Sequence, residues 1–330
     1  MIDLKHPETA LALDFVRKAC TLSQRVQSKM AVENMTKSDF SPVTVADFAV
    51  QALATKALED AFPEAVLIGE ESGHDLEAPS GAEMLKLITD FVAGYTGPVS
   101  SAEVCRWLDK GGDANPTERY WTVDPIDGTR GYLRGGQYAI ALALIEHGHV
   151  QMGLLGCPNL GDNCVPDMGL GAVLIARRGE GAWLSVAGED FTPLQVSDCF
   201  NMKAARMMRS VEAGHTNVSE INQLAAALGL EAEPVIMDSQ AKYGVLAAGG
   251  AELMFRLLSP GKEDYKECIW DQAAGTIILE EAGGRVTDLH GAELDFAQGR
   301  KLLKNTGIVA SNGYLHEAAL AAVAKTCNLG

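Results

Sequence analysis

The chain has 330 residues, and its 27 Lys and Arg against 44 Asp and Glu give a formal net charge of −17. Its 47% hydrophobic and 22% charged residues are the composition of a globular protein of one large or two ordinary domains, which excludes a disordered chain. The acidic balance argues against a nucleic-acid-binding or anionic-membrane surface, because phosphates recruit clustered Lys and Arg, yet it permits a small phosphorylated substrate in one locally basic pocket.

Apolar residues at Leu11, Phe15, Cys20, Leu22, Val26 and Met30 predict a helix from Glu8 to Met30. A second helix is expected from Ala46 to Ala61, with Phe48, Ala52, Leu53, Ala57 and Leu58 on one stripe and Pro63 as a stop signal. Val66–Gly69 reads as a short buried strand that delivers Glu70 and Glu71 at its end. From Gly73 to Glu118 the pattern weakens, with helices at Ala82–Phe91 and Ala102–Lys110, and this stretch is read as a surface insertion. Strand signals resume at Tyr120–Val123, Tyr138–Ile145, Val150–Leu155, Ala172–Arg177 and Ala182–Val186. Gly148, Gly179 and Gly181 punctuate them, so a largely antiparallel sheet is expected.

Beyond Val196 strands and helices alternate. Strands are predicted at Ala205–Arg209, Pro234–Asp238, Glu252–Leu257, Arg285–Asp288 and Gly307–Ala310. Helices are predicted at Ser219–Leu228, Ser239–Ala248, Asp271–Ala282 and Tyr314–Thr326. This change divides the chain into an α+β domain, 1–195, and an α/β domain, 196–330. Seven scattered cysteines without C-x-x-C spacing suggest neither a disulfide framework nor a zinc site, and fit a reducing compartment. Met1–Pro7 lacks the pattern of a signal peptide and no run approaches the ~18 apolar residues of a membrane span, so a cytoplasmic location is expected.

The most informative stretch is Trp121-Thr122-Val123-Asp124-Pro125-Ile126-Asp127-Gly128-Thr129. Two carboxylates follow an apolar strand, Pro125 fixes the backbone between them and Gly128 allows a tight turn. Such a turn can aim both side chains and the Ile126 carbonyl at one point, the oxygen-rich setting that Mg²⁺ prefers. By itself the stretch is equally well a polar turn. Glu70 alone would be a solvated loop residue, and Asp271, after Trp270, a helix N-cap. Three carboxylate-bearing ends in one chain favour a convergent metal site. His147 and His149 flank a hairpin turn, and Ser239-Gln240-Ala241-Lys242 matches S-x-x-K without its companion elements. No Walker loop or G-x-G-x-x-G follows a strand.

Taken in order, Val43-Thr44-Val45-Ala46-Asp47, Gly69-Glu70-Glu71-Ser72, Asp124-Pro125-Ile126-Asp127-Gly128-Thr129, Trp270-Asp271-x-Ala273-Ala274-Gly275 and Glu281-Ala282-Gly283-Gly284 span most of the chain. They resemble the inositol-monophosphatase-like superfamily of Mg²⁺-dependent, lithium-sensitive phosphatases. Within it, Gly131–Ala139, Gly156–Leu160, Ser210–His215 and Asp238–Tyr243 resemble the 3′(2′),5′-bisphosphate nucleotidases.

The resemblance implies a layered α/β/α/β/α sandwich with the chemistry between its halves. It implies that Glu70, Asp124, Asp127 and Asp271, with the Ile126 carbonyl, hold two or three Mg²⁺ ions. Thr129 and Asp47 would activate the attacking water, and Thr129, His215, Ser239, Lys242, Arg256 and Asp271 would surround the substrate. The implied reaction converts 3′-phosphoadenosine 5′-phosphate to AMP and phosphate, with 3′-phosphoadenylyl sulfate as a candidate second substrate. Gln272 and Arg130 depart from the residues common at those places, His and Lys, and are expected to tune activity. An inositol (poly)phosphate 1-phosphatase, or a metal-dependent binding protein without turnover, are the alternatives.

Overall fold

In the computed structural model, residues 2–32, 42–76, 81–112, 116–165, 168–211, 218–258 and 264–326 are described. Helix α1 (Pro7–Val32) buries Ala12, Phe15, Val16, Ala19, Leu22 and Val26, one stripe at helical spacing. Helix α2 (Pro42–Ala61) begins four residues before the predicted start at Ala46, on a proline that a first helical turn tolerates. It buries Val45, Phe48, Ala49, Val50, Ala52 and Leu53, nearly all round, because α1 and two further helices enclose it.

Those further helices are α3 (Ala82–Thr96) and α4 (Ser101–Gly112), in the stretch expected to be a surface insertion. That expectation is corrected. Ile88, Phe91, Val92, Val104, Trp107 and Leu108 are buried and both helices pack on α2, so the segment completes a core. The helices are amphipathic, and their apolar stripes need a partner that only tertiary packing reveals.

Seven strands follow in spatial as well as chain order: β1 (Leu67–Gly69), β2 (Arg119–Asp127), β3 (Ala139–Glu146), β4 (His149–Cys157), β5 (Ala172–Arg177), β6 (Gly181–Val186) and β7 (Thr192–Pro193). β1 and β2 are parallel and the remaining neighbours antiparallel. Along β3, Ile140, Leu142 and Leu144 face the α1–α4 side, while Ala139, Ala141 and Ala143 face the other.

Five more strands, β8 (Met207–Arg209), β9 (Val235–Ile236), β10 (Leu253–Arg256), β11 (Arg285–Thr287) and β12 (Ile308–Ser311), form a second, mixed sheet in the order β11-β12-β10-β8-β9. The remaining helices are α5 (Thr129–Leu133), α6 (Val218–Leu228), α7 (Ala241–Ala247), α8 (Ala273–Glu281) and α9 (His316–Thr326). Helices α7 and α8 lie between the sheets, joining Leu155 and Leu174 of the first to Met254 and Ala310 of the second through Tyr243, Ile277 and Ile278. Small residues admit them: a Cβ at Gly153 would stand 2.5 Å from Ile277 Cγ2. Leu224 of α6 and Val323 of α9 cover the outer face, against Leu253 and Val309. The result is the expected five-layer α/β/α/β/α sandwich.

Candidate active site

Parallel pairing of β1 and β2 brings their C-terminal ends to one place. Gly69 is in register with Val123, so Glu70 and Asp124, the next residues, emerge side by side. A Cβ at Gly69 would lie 2.3 Å from Gln51 Oε1 and would displace the Gln51 amide. Gln51, on α2, accepts the Glu71 N–H at 2.8 Å and donates to the Glu71 carbonyl at 2.6 Å, fixing the turn that carries both glutamates.

In a regular strand Asp124 and Asp127 would point to opposite faces. Their partners on β3 are Ala141 and Ala139, so β2 carries one extra residue between them, a bulge that turns both carboxylates the same way. Gly128 follows at φ +88°, where a Cβ would approach the Ser239 Cβ to 2.7 Å, and Thr129 opens the short helix α5.

The third aspartate comes from the other half of the chain. Helix α8 starts at Ala273 with Gln272 at the cap position and no side-chain cap bond. Asp271 therefore stands in the turn before the cap, which overturns the plain helix-cap alternative and the predicted helix start. Asp124, Asp127 and Asp271 each offer a carboxylate oxygen within 4.8 Å of one another. Asp124 Oδ1 is buried with no hydrogen-bond partner. An orphaned buried carboxylate oxygen in an all-oxygen cluster suits a hard divalent cation, and Glu70 and Ile126 line the same cavity. The residues present fit a metal.

Electrostatics agree. Burial, then the charges of Asp127, Glu70, Asp271 and Asp47, holds Asp124 well above the usual carboxylate range. Burial likewise raises Asp271 to about 8, against the opposing pull of Arg256, and raises Glu70. Asp127 is raised by burial and drawn back by the Gln240 N–H that it accepts and by Lys242 and Arg256. Asp47 sits buried on α2, raised well above its ordinary value by burial and by Glu71 and Glu70. Thr129 lines the cavity, and α2 packs against α5.

Beside the carboxylates the cavity, about 350 Å³, is lined by Ser239, Lys242 and Arg256. Lys242 donates to Ser210 Oγ at 3.2 Å, and burial lowers its pKa. Ser239 has φ +71° and accepts the Ala241 N–H on its Oγ at 3.1 Å. Of the predicted site residues, Glu70, Asp124, Ile126, Asp127, Thr129, Ser239, Lys242, Arg256 and Asp271 line this cavity, and Asp47, buried on α2, does not. His215 falls outside the described residues.

The family model of the inositol monophosphatase family matches residues 5–328. The chain belongs to that family. Among curated proteins, a 3′(2′),5′-bisphosphate nucleotidase of Schizosaccharomyces pombe is 38% identical over 336 residues, covering 96% of this chain and 95% of that protein. A 3′(2′),5′-bisphosphate nucleotidase of Oryza sativa is also 38% identical, covering 96% and 93%. One from Dictyostelium discoideum is 37% identical over 96% of each chain. Among solved structures, SuhB of Mycobacterium tuberculosis superposes with a TM-score of 0.62 at 19% identity, covering 99% of this chain and 100% of that one. An inositol monophosphatase from Anabaena gives a TM-score of 0.61 at 18% identity, covering 96% and 95%. These two bear on the fold alone. As a member of the inositol monophosphatase family with such relatives, the chain is an enzyme, a phosphoric monoester hydrolase. Among the described residues no helix is long and apolar enough to cross a membrane.

Two residues of this family member's site escaped the sequence reading. Arg300 stacks its guanidinium on Trp270, 4.9 Å from the ring centroid, and donates to the carbonyls of Gly112, at 2.9 Å, and Gly69. It thus ties the Glu70 turn to the Asp271 turn. Glu267, only 4% exposed, pairs with Arg256. Neither sits in a motif, and their contacts come from distant turns, so no local signal marks them.

Proposed function

We propose that this chain removes the 3′-phosphate of 3′-phosphoadenosine 5′-phosphate, giving AMP and phosphate, with 3′-phosphoadenylyl sulfate as a second substrate. The observation that carries the reading is one cavity with two kinds of anion chemistry: a carboxylate cluster and, beside it, the cations Lys242 and Arg256. A substrate with one phosphate to lose and another to be held needs both. The curated relatives named as bisphosphate nucleotidases support the same choice.

In this reading residues 1–195 supply Glu70, Asp124, Asp127 and the Ile126 carbonyl, and residues 196–330 supply Asp271, to hold two or three Mg²⁺ ions. Bound there, Mg²⁺ offsets the carboxylate charge, polarises the phosphoryl oxygens and acidifies water. The Thr129 hydroxyl orients the attacking water and relays its proton to Asp47, the buried carboxylate on α2. The water oxygen bonds to phosphorus as the bond to the 3′ oxygen breaks, without a phosphoenzyme. Lys242 and Arg256 grip the phosphate that is not cleaved, as cationic donors match its oxygens, while the family resemblance assigns Ser239 and His215 to the substrate. The partner is this small molecule, not a nucleic acid or membrane, and the free cysteines among the described residues suit a reducing, cytoplasmic setting.

Phosphate release from the bisphosphate nucleotide and from inositol phosphates, each with Mg²⁺ and with or without lithium, tests the proposal. Mg²⁺-dependent, lithium-inhibited release from the nucleotide is expected. Release from inositol phosphates alone would overturn it in favour of a 1-phosphatase.

A further inference from the structure

Arg256, at the end of β10, lies between two carboxylates. Its Nε is 2.8 Å from Glu267 Oε1, and its NH2 is 3.9 Å from Asp271 Oδ2. Asp271 belongs to the metal-competent cluster; Glu267 does not line the cavity. Glu267 is 4% exposed, and its other oxygen accepts the Gln272 amide at 3.1 Å. Gln272 in turn accepts the Tyr243 hydroxyl at 2.7 Å, and both are buried. The chain Tyr243–Gln272–Glu267 is therefore a fixed stay anchored on α7 and the turn before α8. Gly275 makes room for it, since a Cβ there would stand 2.2 Å from the Tyr243 ring.

A guanidinium is a planar fork of five N–H donors. Glu267 pairs with the Nε edge through charge, 2.8 Å away, and NH2 donates to the Tyr265 hydroxyl at 3.5 Å, so the guanidinium is held from two sides while Arg256 lines the cavity. The same guanidinium already stands 3.9 Å from a second carboxylate, Asp271, and without the pull of Glu267 a short side-chain swing would close that pair. Arg256 paired with Asp271 would be lost to the substrate and would compete with a cation for a cluster oxygen.

We infer that Glu267, held by Gln272 and Tyr243, is a positioning residue: it holds Arg256 at the cavity for the uncleaved phosphate and limits its pairing with Asp271 to a loose 3.9 Å contact. The inference rests on the nucleotidase reading for the identity of the phosphate, but not for the coupling of Glu267, Arg256 and the metal cluster. Glu267 carries two opposed effects on one guanidinium, and that predicts a double signature which loss of packing alone does not produce.

The test is a double-mutant cycle of wild type, Glu267→Gln, Arg256→Ala and the double variant. Steady-state KM and kcat are measured for 3′-phosphoadenosine 5′-phosphate, and the Mg²⁺ midpoint is measured by thermal shift in the absence of substrate. Glu267→Gln is expected to raise KM about tenfold, the scale of a charge-assisted hydrogen bond, with a smaller fall in kcat. It is also expected to raise the Mg²⁺ midpoint severalfold. In the Arg256→Ala background the same substitution should change neither. Equal effects in both backgrounds, or unchanged KM and Mg²⁺ midpoint in the single variant, overturn the inference. If Glu267→Gln alone does not fold, Glu267→Asp, which keeps the charge but shortens its reach to Arg256, is read the same way. If wild type does not hydrolyse the nucleotide, the functional reading fails by itself, and the Mg²⁺ midpoints still decide the coupling.

Discussion

Asp127→Asn separates stability from function at the carboxylate cluster, with opposite signs. Two ionised carboxylates with oxygens within 4.8 Å repel by about 3–4 kcal/mol at an effective dielectric constant of about 20. Partial protonation already relieves some of this, since Asp124, Asp127 and Asp271 are all raised. An asparagine keeps an oxygen to accept the Gln240 N–H, at the loss of about 1 kcal/mol because the bond is no longer charge-assisted. The net expectation in chelator at pH 8 is a gain of about 1 kcal/mol. For a chain of 330 residues the entropy of unfolding, about 2 cal/mol/K per residue, makes that about 1–2 °C in Tm.

With Mg²⁺ the order reverses. A ligand at 100 times its Kd stabilises the native state by about 2.7 kcal/mol, or about 4 °C here, and the variant lacks one oxygen of full charge to bind it. Turnover should fall by several orders of magnitude. Thermal unfolding in chelator and in Mg²⁺, beside phosphate release, reads all three. A variant that is destabilised by more than about 2 kcal/mol in chelator, or that keeps both the Mg²⁺ shift and near-normal turnover, would refute the assignment of Asp127 to the metal cluster.

Lys242→Ala should raise KM for the bisphosphate nucleotide by about tenfold or more with a smaller effect on kcat, and an unchanged KM would remove Lys242 from phosphate binding. Because burial holds the Asp271 carboxyl near 8 without metal, Mg²⁺ binding at pH 7 should release protons and tighten as pH rises toward 8. Calorimetry in two buffers of different ionisation enthalpy reads this directly, and no buffer dependence would contradict it. His316, fully buried between the Thr287 and Ser311 hydroxyls at 2.9 Å each, is pushed down to about 4 by burial and by Arg285. Between its ordinary value of about 6.5 and about 4 the unfolded chain binds the extra proton. Stability should therefore fall by roughly 3 kcal/mol as pH drops through that window, and urea titrations of His316→Gln should lose that slope.

The strand ends were legible because β-structure leaves a strong local record: apolar runs closed by Gly-Glu-Glu-Ser or by Asp-Pro-Ile-Asp-Gly-Thr. The bulge between Asp124 and Asp127 was foreshadowed by Pro125, which cannot extend a regular ladder. The burial of α3 and α4 was not legible, since an amphipathic stripe tells that a face is covered but not by what. Helix α5 left no periodic signal, because its five residues are too few to show one.

Glu267 and Arg300 were invisible for a deeper reason: their roles lie in charge balance across the fold. The chain's cations near the cluster are largely committed, Arg256 to Glu267 and Arg300 to two backbone carbonyls and the Trp270 ring. The aspartates and Glu70 are thus left raised rather than neutralised by the protein itself. A net charge of −17 distributed over the surface cannot supply what is missing. A fold that gathers these carboxylates and offsets them only in part, with Arg256 3.9 Å from Asp271, leaves a cluster whose charge suits a cation. An acidic enzyme can therefore receive an anionic substrate through charge that is local and borrowed.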